Sequence, residues 1–170
     1  MAPLLRRSWA PRGETPLVHQ RGRSHEKVSA IATLVVPPER DRVRCYFRLY
    51  RNANVKTPII LSFLRQLVIQ LHPTPVLLIW DRLQPHRAPV VRSFLAGHTA
   101  GSVFLPPYAP ELNPVEYIWN YLKANPLANL AFVDLGDLAA TTHRHACSLQ
   151  RKTDLLRSFI EHSPLPLRLT

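Results

Sequence analysis

Two carboxylates stand where an α/β sheet builds its sites. Asp81 directly follows the apolar run Val76-Leu77-Leu78-Ile79-Trp80, at the carboxyl end of a predicted strand. Glu116 falls in the first turn of a helical stretch that opens at Asn113-Pro114. The 34 residues between them leave room for one helix and one strand. A chain running strand, helix, strand, helix can return both side chains to one sheet edge, where the pair could serve as metal ligands. Each also has a plainer reading. Asn113, Pro114 and Glu116 form a capping box by themselves, with Glu116 three residues after the cap. Asp81 could simply close a turn.

The surrounding pattern supplies elements to position such a pair. Residues 1–27 are rich in Arg, Pro and Gly and read as loop or a basic hairpin. Lys27 to Val36 is a β-branched run and Pro37 to Asp41 a turn. Val43 to Tyr50 alternates, with Val43, Cys45, Phe47 and Leu49 on one face and Arg44, Tyr46, Arg48 and Tyr50 on the other. These stretches predict two antiparallel strands. Thr57 as N-cap and Pro58 open a helix striped by Ile60, Phe63, Leu64, Leu67, Val68 and Leu71. The run 76–80 predicts a strand covered on both faces, 88–96 a helix stopped by Gly97, and 102–105 another strand. Further helices are predicted over 113–124, 134–149 and 154–162. The order predicts an α/β domain over residues 28–162, a mixed sheet flanked by helices, with a loose tail at 163–170.

Charge points to a polyanionic partner. The chain carries 22 Lys plus Arg against 11 Asp plus Glu, a formal net charge of +11. Residues 1–51 alone hold 11 of the bases and 4 of the acids. Nucleic acid is the commonest partner of such a surplus, and a basic solvated surface is the alternative. With 46 % apolar residues the chain is expected to fold. Cys45 and Cys147 lack CxxC neighbours, which argues against a zinc site or a disulfide framework. Both are expected as buried fillers in a reduced compartment. No apolar run approaches the roughly 20 residues that span a bilayer. No signal-peptide pattern opens the chain, so the expectation is a soluble cytoplasmic protein with no membrane partner.

The segment LPPYAPELNPVEYIWNYLK, residues 105–123, resembles the signature of the mariner-type DDE transposases of bacterial insertion sequences. In that family a strand ends in two prolines, an aromatic and a Pro-Glu-Leu-Asn-Pro turn, and the third catalytic acid opens the next helix. Those positions here are Pro106, Pro107, Tyr108, Pro110, Glu111, Leu112, Asn113, Pro114 and Glu116, with Trp119 and Lys123 further along. The stretch WDRLQPH, residues 80–86, resembles the family's second acidic motif, an Asp at a strand end with a His five residues later. WAPRGETP, residues 9–16, is similar to the hairpin after the family's first strand. The resemblance runs from Trp9 to Ile160.

It implies an RNase H-like fold and metal-dependent cleavage and transfer of DNA strands, with element ends and target DNA as partners. Two Mg²⁺ (or Mn²⁺) ions about 3.5–4 Å apart serve such chemistry by activating the attacking oxygen and neutralising the leaving one. Asp81 and Glu116 are then the metal-binding catalytic acids. His86 would stand behind them or contact phosphate, and Asn113 would shape the turn and cap the helix. Lys123, seven residues after Glu116 and near the same helix face, would contact DNA phosphate. An idle loop imidazole and a free surface lysine are the alternatives, and Tyr117 and Trp119 read as packing residues.

The family's first acid, an Asp followed by Glu on the opening strand, has no counterpart here. MAPLLRRS, ahead of Trp9, contains no acid, and Glu14, Glu26 and Glu39 fall in turn-like settings. The expectation is a catalytic domain without its first strand, weak or inactive in cleavage and doubtful in metal binding by itself. It would work with an upstream transposase half or as a homo-oligomer. A catalytically silent DNA-binding module is the competing reading.

Overall fold

The computed structural model describes residues 6–7, 9–14, 26–130 and 132–170. β-branched and alternating sequence forms the first ladder as predicted. Strands β1 (Val28–Val35) and β2 (Arg44–Arg51) pair antiparallel from Val28↔Arg51 to Val35↔Arg44. The Asn52 N–H donates to the Lys27 carbonyl at 2.9 Å, which fixes the parity of the ladder. Cys45, Phe47 and Leu49 therefore turn their backbone groups away from β1. Gln150 covers that edge at one point, its Nε2 donating to the Cys45 carbonyl at 2.7 Å.

Helix α1 (Thr57–Leu71) leads to β3 (Leu77–Trp80), α2 (Pro89–His98) and β4 (Gly101–Phe104). Lys56, not Thr57, holds the N-cap position of α1 and gives no side-chain cap, so Thr57 is already helical. Helix α2 runs through Gly97, which adopts helical backbone, and ends at Thr99. There the Thr99 N–H and hydroxyl both donate to the Leu95 carbonyl, at 2.9 and 2.8 Å. Strands β3 and β4 pair parallel through this crossover, from Leu77↔Gly101 to Trp80↔Phe104. The remaining helices are α3 (Pro114–Ala124), α4 (Leu135–Gln150) and α5 (Thr153–His162).

The expected mixed sheet is split. Among the described residues the four strands form two two-stranded sheets, β1-β2 and β3-β4. Element order names the strands but leaves open which are neighbours, and no ladder joins β1 to β3. The coverage expected for β3 also differs. Leu78 and Trp80 pack with α1 and α2, whereas Leu77 (60 %) and Ile79 (40 %) stay exposed, as does Val103. A continuous apolar run does not reveal which of its faces is covered.

Two apolar cores result. Val43, Cys45 and Phe47 turn one face of the first ladder onto Ile118 and Leu122 of α3, Leu149 of α4 and Leu156 of α5. Ile60 and Leu64 of α1, Trp80, and Val91 and Leu95 of α2 make the second. Tyr117 and Trp119 pack against the first core, as the sequence predicts. The tail 163–170 is not loose. Leu167 and Leu169 lie on the first core, and Thr170 donates to Arg40 and Glu39 carbonyls at 3.1 and 2.9 Å. Arg157 secures it further, donating to the Thr170 carbonyl at 3.0 Å.

Cys45 is buried, but Cys147 is only half-buried on α4, its Sγ 3.7 Å from His143 Nδ1. The hairpin expected at 9–16 lies partly outside the described residues. Its visible portion turns at Pro11 to Glu14, where the Glu14 N–H donates to the Pro11 carbonyl at 3.0 Å and Gly13 supplies a φ of 90°. Among the described residues no helix is long and apolar enough to cross a membrane.

Candidate active site

Asp81 leaves the sheet immediately after β3, where the Trp80 carbonyl accepts from the Leu105 N–H at 2.8 Å. One carboxylate oxygen, Oδ1, accepts twice. The Leu83 N–H donates at 3.0 Å and His86 Nδ1 lies at 2.7 Å. An ionised carboxylate only accepts, so Nδ1 carries the proton. A 3₁₀ turn over Gln84–Arg87 folds the imidazole back onto the strand end. There it stacks on the Trp80 indole, 4.4 Å between centroids and 15° apart. Trp80 in turn stacks on its strand partner Phe104 at 5.8 Å, and its Nε1 donates to Ser102 Oγ at 3.0 Å. The orientation of His86 is thus set by a row of rings rooted in the β3-β4 ladder.

Asn113 caps α3, its Oδ1 accepting from the Val115 N–H at 3.2 Å. The reciprocal half of a capping box is not made by Glu116. The Asn113 N–H donates instead to the Pro110 carbonyl at 3.0 Å, so the Glu116 carboxylate is not engaged there. Burial holds the Glu116 carboxyl above the usual range, the Asp81 charge adds to that rise, and the Lys123 cation opposes it. At Asp81 burial also pushes upward. The hydrogen bonds from His86 and Leu83 and the His86 charge outweigh it, so this carboxyl sits below its usual value.

Of the five predicted site residues the structure joins Asp81 and His86 directly, at 2.7 Å, while the charges of Lys123 and Asp81 act on Glu116 in opposite directions. Asn113 joins them through the backbone, since its carbonyl accepts the Glu116 N–H at 3.0 Å. No cluster of three His, Cys, Asp or Glu side chains forms among the described residues. Two groups escaped the sequence reading. Trp80 reads as one more apolar strand residue, and its role depends on pairing opposite Phe104. Arg82 donates from Nε to the Leu105 carbonyl at 3.0 Å, a bond that no spacing rule foretells.

The sequence profile of the DDE superfamily endonuclease family matches residues 2–139. The chain belongs to that family. An uncharacterized protein of Sinorhizobium fredii, y4pE/y4sA, is 42 % identical over 50 residues, which are 29 % of this chain and 34 % of that protein. Solved structures share the fold. The Mos1 mariner paired end complex with Mn superposes with a TM-score of 0.69 at 17 % identity, over 95 % of this chain and 47 % of that one. The Mos1 strand transfer complex gives 0.59 at 19 % identity, over 94 % and 46 %. The catalytic domain of Mos1 mariner transposase gives 0.52 at 16 %, over 79 % and 74 %. These likenesses show an RNase H-like α/β fold. The chain spans a third of the Sinorhizobium protein and under half of the chains in the two Mos1 complexes.

Proposed function

We propose that this chain is the part of a transposase catalytic domain that contributes Asp81 and Glu116 to metal-dependent cleavage and joining of DNA strands. One observation carries the reading. In a chain of the DDE endonuclease family, two carboxylates come from separate elements, Asp81 at the end of β3 and Glu116 in the first turn of α3. Two carboxylates facing one partly buried site would suit a divalent cation. The donor set fits Mg²⁺ or Mn²⁺, which take hard oxygen ligands and complete their shells with waters and phosphate oxygens. When bound, such an ion would polarise the scissile phosphate and offset the charge on the departing oxygen.

The protein's own groups do the positioning. Asp81 is kept ionised and fixed in rotamer by His86 and Leu83. Asn113 caps the helix that carries Glu116 in its first turn. The Lys123 cation opposes the rise at Glu116, and Lys123 would meet a DNA phosphate. In the cleavage step a water oxygen bonds to phosphorus as the bond to the 3′ oxygen breaks, and that oxygen takes up a proton. In joining, the freed 3′ hydroxyl replaces the water. A further carboxylate from another segment or a second copy would complete the site, and DNA ends and target DNA are the partners. Such work places the protein with the DNA of the cytoplasm.

The test is Mn²⁺ binding followed by electron paramagnetic resonance, with strand nicking assayed alongside. Wild type, short of a further carboxylate, binds Mn²⁺ weakly, and Asp81→Asn and Glu116→Gln each weaken it at least tenfold. Equal binding by all three would refute the assignment. Salt-sensitive DNA binding without Mn²⁺ binding or nicking would instead favour a catalytically silent DNA-binding module.

A further inference from the structure

We propose that His143 and Cys147 of α4 hold one thiophilic d¹⁰ cation, Zn²⁺ above all, between an imidazole nitrogen and the thiolate sulfur. The two side chains stand four residues apart on one helix and so share a face. Cys147 Sγ lies 3.7 Å from His143 Nδ1 and 3.8 Å from Nε2. An ion held tetrahedrally about 2.3 Å from sulfur and about 2.0 Å from nitrogen sets its two donors about 3.5 Å apart. The free pair already stands close to that span. The His143 ring is exposed and its last torsion is soft, so a small turn aims one nitrogen at the ion without moving the helix. Cys147, half-buried, remains open to an ion arriving from solvent. No CxxC pair flags this site in the sequence, because the spacing that pairs ligands along a helix is His-x₃-Cys.

The backbone beneath the pair is fixed before any ion arrives. Asp134 caps α4, its Oδ1 accepting from the Asp137 N–H at 2.8 Å. Further along, the His143 ring meets Phe47 of β2 at 5.7 Å between centroids, and Gln150 donates to the Cys45 carbonyl at 2.7 Å. Residues 143, 147 and 150 thus form one helix face laid along the outer edge of β2. Ligands on such a support lose little freedom on binding. Two other helical histidines differ. Nδ1 of His98 and of His162 bonds the carbonyl four residues back, at 2.8 and 2.7 Å, and neither has a thiol one turn away. Softness separates this pair from Asp81 and Glu116: sulfur and imidazole select Zn²⁺, whereas Mg²⁺ and Mn²⁺ prefer oxygen. On binding, the thiol releases its proton to solvent and the imidazole binds neutral. Two protein ligands leave two tetrahedral positions to water. The ion clips one turn of α4 and stabilises the native chain by mass action. The inference stands apart from the DNA-processing reading, since it uses no residue of that site.

The test titrates the full 170-residue chain, stripped of metal, with Cd²⁺ in the presence of excess Mg²⁺. Charge transfer from thiolate to Cd²⁺ absorbs in the ultraviolet and reports sulfur ligation alone. Wild type should give this band, saturating at one ion per chain, and Zn²⁺ should displace it. Cys147→Ser should abolish the band although Cys45 remains. His143→Ala keeps the thiol and should bind at least about tenfold more weakly, since even partners behind a ligand typically carry 10- to 100-fold. Zn²⁺ should also slow attack of a disulfide reagent on Cys147 and raise the Tm of wild type, and at the same concentration do neither in His143→Ala. Both substitutions lie at positions that reach solvent, and circular dichroism shows that each variant folds. Absence of the band in wild type, or its survival in Cys147→Ser, would overturn the site. Binding by His143→Ala as tight as by wild type would reduce the site to a lone thiol and overturn it equally.

Discussion

Replacing His86 with alanine isolates what the imidazole does for Asp81. In the intact chain Oδ1 accepts from His86 at 2.7 Å and from Leu83 at 3.0 Å. Without His86, burial favours the neutral acid and one backbone bond opposes it, so the carboxyl titrates at higher pH. A hydrogen bond to a charged group is worth about 1.5–3 kcal/mol when well buried. The Asp81 side chain is 39 % exposed, so solvent recovers much of this and about 1 kcal/mol remains. That corresponds to roughly a fivefold weaker hold on the ionised form. The sign follows from a carboxyl depressed in the fold. Its contribution to stability is complete above the unfolded value near about 4 and is lost as pH falls through the folded value. Wild type and variant should therefore converge in strong acid and separate above about pH 4. Partners behind a metal-binding carboxylate typically carry 10- to 100-fold in affinity, and the exposure of Asp81 points to about tenfold for Mn²⁺. The assay is carboxyl ¹³C titration of Asp81 together with Mn²⁺ titration near neutral pH. His86→Phe, which can keep the stack on Trp80 without the donor, separates the hydrogen bond from the packing. If His86→Ala leaves both the Asp81 titration and the Mn²⁺ affinity in place, the imidazole does not hold the carboxylate and the reasoning fails.

Glu116 should behave in the opposite sense. Its carboxyl is raised in the fold, so its favourable contribution exists below the unfolded value near about 4.3 and is lost as pH rises through the folded value. Glu116→Gln should then be neutral or stabilising at pH 7, by no more than about 1 kcal/mol after solvent screening, while weakening Mn²⁺ binding. Thermal melts at pH 4 and pH 7 check this, and a clear loss of stability at pH 7 would contradict it. The two thiols should differ in reactivity. Burial pushes the Cys45 thiol up to about 12, and a thiol reacts as its thiolate. At pH 8 a disulfide reagent should modify Cys147 in the folded protein and both cysteines only after unfolding. Equal native rates would show that Cys45 is not sealed in the core.

The candidate site was largely legible because its signals are local. Asp81 is read from an apolar run that must be a strand, and Asn113-Pro114 marks a helix start within a few residues of Glu116. Where the sequence was ambiguous, single bonds at a distance decide the local geometry. Whether Glu116 closes a capping box depended on the Asn113 N–H, and the turn at Pro110 takes it. The position of His86 depended on whether a five-residue loop doubles back, and it stacks there on Trp80, which in turn stacks on Phe104. Tertiary partnership was less legible. The tail reads as loose from its Pro and Leu content, yet it docks on Arg157 and, far away in the chain, on the β1-β2 turn. The coverage of β3 and the split sheet are likewise matters of neighbour choice, which strand composition does not encode.

The two carboxylates belong to different cores, and that makes β1 the element that sets their registration. Asp81 extends from the core built by α1, α2 and Trp80, while Glu116 extends from α3, which is packed with α4 and α5. Ile31 reaches into the first of these and Leu34 into the second. Alternation along one strand points these side chains to opposite faces, so a single rigid element touches both supports of the site. The ladder reinforces the arrangement from β2. Arg48, opposite Ile31, bonds Gln66 of α1, while Cys45, opposite Leu34, lies in the core beneath α3. A change in β1 packing would therefore move one carboxylate relative to the other without touching either. The relative placement of the two proposed acids is consequently a property of the β1-β2 ladder as much as of the acids themselves.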